Sequence, residues 1–178
     1  MENFLRKIKV QDHITIELDI SKTDFTKNFI TRVDESDLSL FDSYFEEFSS
    51  SRNEYKGNID DRTFELRRRK RFFDINPVYP LGEGKMIEKS GKLILEIDIK
   101  IFNKYRKPLY IFYGLFFIIP LGLMLYSMYN KKTHISLDKL SFIVTFMLVI
   151  LGLIYFKLRR AVTRMKYELE RDFHFWVK

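Results

Sequence analysis

The sequence predicts an α+β domain over residues 1–105, a two-helix transmembrane hairpin over 106–156, and an amphipathic helix over 157–178. Three observations predict it. Leu109 to Tyr129, 21 residues, and Leu140 to Phe156, 17 residues, hold no charged side chain and are separated by ten residues, Asn130 to Lys139, eight of them polar. At ~1.5 Å per residue these runs give helices of about 31 and 26 Å, against a hydrocarbon core of roughly 30 Å. Upstream, apolar residues recur with a period of two in two places, the mark of strands with one face on a core. Downstream of the second run, Leu158, Val162, Met165, Leu169, Phe173 and Trp176 recur at spacings of three and four, which places them on one face of a helix.

Ile14, Ile16, Leu18 and Ile20 alternate with Thr15, Glu17 and Asp19 and form the first strand. Ser21 is placed to cap a following helix, with Asp24 three residues on and Ile20 and Phe25 in the positions of a hydrophobic staple. Its apolar stripe is Phe25, Phe29 and Val33, and Asp34, Glu35 and Asp37 break it. Leu38, Phe41, Phe45 and Phe48 then predict a second helix ending at Ser49 to Ser51. From Tyr55 the pattern is sheet: Gly57 and Ile59, a turn at Asp60 and Asp61, and a return strand from Thr63 into a basic cluster. Pro77 and Pro80 interrupt, since proline cannot donate to a central ladder. A strand over 82–87 and a turn over 89–92 follow. Leu93, Leu95, Ile97, Ile99 and Ile101 alternate with Ile94, Glu96, Asp98 and Lys100, and this strand leads through Pro108 to the first span. One strand, two helices and about four antiparallel strands make an α+β domain with helices on one face of a sheet.

The net charge of +7 is unevenly spread: residues 1–51 carry −5, while 52–108 and 109–178 each carry +6. Lys100, Lys104, Arg106 and Lys107 precede the hairpin, Lys157, Arg159, Arg160, Arg164 and Lys166 follow it, and the loop holds Lys131, Lys132 and Lys139. The bias of basic residues toward the cytoplasmic side puts both termini in the cytoplasm of a multi-pass inner-membrane protein. Met1 to Val10 lacks the apolar run of a secretory leader. The absence of cysteine excludes disulfides, thiolate catalysis and cysteine-bound zinc.

No catalytic constellation emerges. His13, His134 and His174 are scattered, so no base is paired with a nucleophile by any motif. Asp60 and Asp61 suit a turn as well as a hard cation, and Gly82 and Gly84 lack the third glycine and the helix of a phosphate loop. No cofactor or metal is expected. Neither span holds an ionisable residue, the usual mark of a transport or proton pathway. Pro120 can kink the first span, while Gly114, Gly122 and Gly152 permit close helix approach.

The sharpest chemical feature is Arg67 to Arg71. In a strand, Arg67, Arg69 and Arg71 share the face opposite Phe64 and Leu66, where an exposed row of guanidinium groups suits anionic lipid headgroups or an acidic partner. The alternative is a solvated face paired with carboxylates of the acidic N-terminal half. Nucleic acid is not expected, because the nearby aromatics sit where a core needs them.

Gly57, Phe64, Leu66, Arg67, Arg68, Asn76, Pro77, Gly82 and Gly91, with Pro108 before the span, resemble an uncharacterised group of bacterial two-span membrane proteins with a β-rich cytoplasmic domain. The resemblance covers Tyr55 to Leu109. It departs at Lys92, where a threonine would follow Gly91, and it implies an architecture without an activity. The sequence thus points to a membrane-tethered binding or scaffolding module without catalysis. Its rivals are an oligomerising membrane effector or immunity-type protein and an enzyme on a membrane substrate. The bilayer, a homo-oligomer and a membrane-protein partner are the expected contacts, with the stripe from Leu158 to Trp176 as a packing or oligomer surface.

Overall fold

A computed structural model describes residues 2–38, 51–70, 78–89, 91–102 and 137–177, together with scattered residues between 111 and 130. The chain forms two compact units, one of residues 1–103 with 157–178 and the other of 104–156. The C-terminal segment, whose apolar stripe is expected to pack on the domain or on a second copy, belongs to the same unit as the N-terminal domain.

In that unit the order is α1 (Glu2–Lys7), β1 (Gln11–Leu18), α2 (Lys22–Arg32), β2 (Val33–Glu35), β3 (Tyr55–Ile59), β4 (Thr63–Arg68), β5 (Leu81–Lys89) and β6 (Lys92–Lys100), then the C-terminal part of α3 (Leu137–Trp176). The strands form one six-stranded sheet in the order β1-β6-β5-β4-β3-β2. All neighbours are antiparallel except β2 and β3, which pair in parallel from Val33 opposite Tyr55. The sheet is therefore mixed and has one strand more than the pattern predicts. β2 escapes the sequence because it is three residues long and begins at Val33, the residue that also caps α2. A period of two needs more residues than that to show.

α1 is also absent from the sequence reading. It ends with Lys9 in the left-handed region, φ 57°, while the Lys9 amide donates to Arg6 and the Val10 amide to Leu5, the pair of bonds that closes a helix C-terminus. Ser21 caps α2 as expected, accepting from the Asp24 amide at 3.1 Å. Of the helix expected from Leu38 to Ser49–Ser51, residues 39–50 lie outside the described residues, and Leu38, in the left-handed region at φ 57°, and Ser51 are not helical. The turn between β3 and β4 is closed by the Asp60 amide donating to Thr63 at 2.7 Å. Asp61 there is bonded to Lys22, whose ammonium holds its carboxyl below the usual carboxylate range.

One face of the sheet carries Ile14, Ile16, Leu18, Leu93, Leu95, Ile97 and Ile99, all buried. Phe25 and Phe29 of α2 and Phe173 of α3 close on Phe64 of β4, with ring centroids 5.5–6.1 Å apart. Tilted and edge-to-face rings at these distances are the favoured aromatic geometries. Two glycines of β5 make the room. A Cβ on Gly84 would come within 2.1–2.5 Å of the Phe64 ring, and one on Gly82 would meet Met165 at 3.1 Å and Leu169 at 3.6 Å. The two glycines, without the setting of a phosphate loop, are thus sites of close approach under an aromatic ring and a helix.

In the second unit, α3 begins at Leu137 and exposes Phe142, Phe146, Leu148, Val149, Leu153 and Phe156. Among the described residues α3 is the one helix long and apolar enough to cross a membrane. The first expected span, 109–129, lies for the most part outside the described residues. Those of it that are described are helical, and Ile111, Leu115, Ile118 and Leu123 among them are exposed. The packing of the expected two-helix hairpin therefore also lies outside the described residues.

Candidate functional site

The basic cluster sits at the end of β4, with β3 on one side and β5 on the other. The register runs Asp34, Lys56, Arg67, Leu81, Lys100, Gln11 straight across the sheet, on the face opposite the aromatic core. Alternation along β4 does place Arg67 away from Phe64 and Leu66. It does not expose it: Arg67 is 3 % and Arg69 6 % accessible. The exposed row expected of Arg67, Arg69 and Arg71 is thus overturned at its first two members, and Arg71 lies outside the described residues.

A guanidinium stays charged when buried, so it requires a carboxylate and further acceptors around it. Arg69 has both: Nη2 lies 2.6 Å from Asp34 Oδ2, and Nη1 donates to the Ser51 carbonyl at 2.9 Å. Asp34 Oδ1 accepts in turn from Ser51 Oγ at 2.9 Å and Asn53 Nδ2 at 2.7 Å. Asp34 is a carboxylate of the acidic N-terminal half, as the pairing alternative has it, but the pair is buried where that alternative expected a solvated face. The partner was hidden because it stands on β2.

Arg68 turns to the core face and donates to Glu168 of α3 at 2.5 Å, where Arg164 also donates at 2.7 Å. Four residues on, Asp172 accepts from the Tyr55 hydroxyl at 2.6 Å and from Arg171 at 2.7 Å. Burial, then the hydrogen bond to Asp172, pushes the Tyr55 phenol well above its ordinary value, so Tyr55 remains a neutral donor. Glu168 and Asp172 flank a stripe in which Val162, Met165, Leu169, Phe173 and Trp176 are buried, while Leu158 is partly exposed. Trp176 meets Phe29, Tyr55 and Phe173 at 6.2, 6.1 and 4.8 Å. Its carbonyl, an orphan acceptor at a helix end, accepts from Asn28 of α2 at 2.9 Å. The sequence showed the apolar stripe but not these clamps. Their trace was the four-residue spacing of Glu168 and Asp172 beside it.

The histidines do not gather. His13 Nδ1 lies 3.0 Å from Asp98 Oδ1, the oxygen that also accepts from Arg6 at 3.0 Å, and His174 Nδ1 lies 2.7 Å from the Glu170 carbonyl. His134 lies outside the described residues. Among the described residues no three histidine or carboxylate side chains converge as a metal site. The arrangement the structure does build is a clamp that fastens the end of α3 to the sheet through an aromatic cluster and two carboxylates. Comparison with known proteins gave no match to a protein family, a curated protein or a solved structure.

Proposed function

We propose that this chain is a two-pass inner-membrane protein of the bacterial type it resembles, both termini cytoplasmic, displaying an α+β domain as a binding or scaffolding module without catalysis. The observation that carries this reading is the change of character along α3. From Ser141 to Phe156 most of its large apolar side chains are exposed without a charge among them, whereas from Ala161 to Trp176 the apolar stripe is buried on the domain and the outer face is largely polar, with Tyr167 and Phe175 the exposed rings. An exposed apolar surface of that length needs cover from water, which a bilayer supplies, and a helix serves there because it satisfies its own backbone. The uncharged run 109–129 supplies the partner span, and the basic residues that flank both runs support the orientation.

The test is extraction of membranes with alkaline carbonate. The full chain is expected to remain in the pellet, and a variant with Arg at Ile118 and Ile119 of the first run and at Leu148 and Val149 of the second to be released, since each charge at mid-helix costs about 2.5–3.5 kcal/mol of insertion. Release of the unaltered chain refutes the membrane reading. A phosphatase reporter active at the C-terminus but inactive near Thr133 reverses the topology.

A further inference from the structure

The lysines and arginines of α3 beyond Phe156 divide into two sets. Arg164 is bonded to Glu168, Lys166 lies 3.4 Å from Asp12, and Arg171 is bonded to Asp172. Lys157, Arg159 and Arg160 hold no carboxylate among the described residues, Lys157 and Arg160 being exposed and Arg159 partly so. These three follow Phe156, the last residue of the exposed apolar stretch, by one, three and four positions in the same helix, within about 6 Å along its axis at ~1.5 Å per residue. At ~100° per residue they stand at roughly 0°, 200° and 300°, around the helix rather than on one face. A cation held by a carboxylate of its own chain is less free to meet another anion, so the division separates cations engaged by the fold from cations left for another anion.

We propose that Lys157, Arg159 and Arg160 form a collar that binds the phosphates of anionic phospholipids, and that this collar, not Arg67 and Arg69, is the lipid-recognising element of the chain. The inference rests on reading Ser141–Phe156 as a span, which sets the depth at which the three side chains leave the helix. Ammonium and guanidinium groups at that depth meet the phosphodiester layer. Their spread around the axis suits several headgroups of the surrounding lipid annulus, each met by one side chain.

The full chain in detergent, offered equal phosphatidylglycerol and phosphatidylcholine, is examined by native mass spectrometry. Preferential retention of phosphatidylglycerol is expected. K157Q, R159Q and R160Q are each expected to lower that preference about five-fold, and the triple variant to abolish it. The set R164Q, K166Q and R171Q, which removes the same charge from the paired positions, is expected to retain it. Equal retention of both lipids by the unaltered chain overturns the collar, as does an unchanged preference in the triple variant or its loss in the paired set. Displacement of the lipid by millimolar inorganic phosphate also overturns it, as a free-phosphate site. Should the triple variant misfold, by Trp176 fluorescence, R160Q alone carries the test at an exposed position. Carbonate extraction judges the span separately: a chain that stays in the membrane without headgroup preference refutes the collar alone.

Discussion

Replacing Phe173 with alanine removes the ring on which the docking of α3 turns. Phe173 is fully buried, edge-on to Phe25 and Phe64 at 5.5 and 5.9 Å and tilted against Trp176 at 4.8 Å. Truncating such a ring leaves a cavity between α2, β4 and α3, and costs about 3–5 kcal/mol. At an m value of about 2 kcal/mol/M the urea midpoint falls by roughly 1.5–2.5 M. Trp176 is the only tryptophan and is 6 % accessible, so its emission reports directly on undocking in the detergent-solubilised full chain. The midpoint is the quantity to compare, because the mutation also changes the indole's surroundings. Phe175→Ala is the matched control. That ring is 66 % exposed and lies 5.5 Å from the Arg32 guanidinium, an exposed cation–π contact whose loss costs about 0.5–1 kcal/mol. Equal midpoint shifts for the two variants, or a cost below about 1 kcal/mol for Phe173→Ala, refute the claim that this helix is held by its aromatic stripe.

Gly84→Ala drives a methyl group into the Phe64 ring, which is confined by Phe25, Phe29 and Phe173. It is expected to destabilise the domain by about 1–3 kcal/mol, whereas Gly152→Ala, which meets nothing within 4 Å, leaves thermal melting of the domain unchanged; equal melting points for the two would contradict the packing. Tyr55→Phe removes a hydrogen bond to a carboxylate and is expected to cost about 1.5–3 kcal/mol. Because the folded Tyr55 phenol ionises above its ordinary value near 10, its contribution is fully present below pH 10 and lost as the pH rises beyond it, where the unfolded chain releases the proton and the folded one does not. The stability gap between the two proteins, measured by urea unfolding, should hold from pH 6 to 9 and narrow above 10, and a gap unchanged at pH 11 would show that Tyr55 is not so perturbed.

Whatever is encoded by neighbours a few residues apart is legible without the fold. The alternation of Ile14 to Leu18 and of Leu93 to Ile99 specified two strands and their buried faces, because successive side chains of a strand point to opposite sides whatever its partner. Ser21 with Asp24 marked the start of α2, and the spacing of Val162, Met165, Leu169, Phe173 and Trp176 marked a helix face that must be covered. Tertiary structure decided what covers it. The sheet that receives Met165 and Leu169 does so over Gly82, and the clamps to Glu168 and Asp172 come from Arg68 and Tyr55, about 100 or more residues away in the chain. The arginine run shows the limit most clearly. Alternation correctly separated Arg67 from Phe64 and Leu66, but a strand face opposite a core is wet only if nothing lies on it, and no pattern within β4 states that. Asp34, which neutralises Arg69, stands on a three-residue strand that exists only because β3 is there to pair with it. Burial of a charge and the identity of its counter-ion are properties of the assembled sheet, set by contacts between segments that local periodicity does not record.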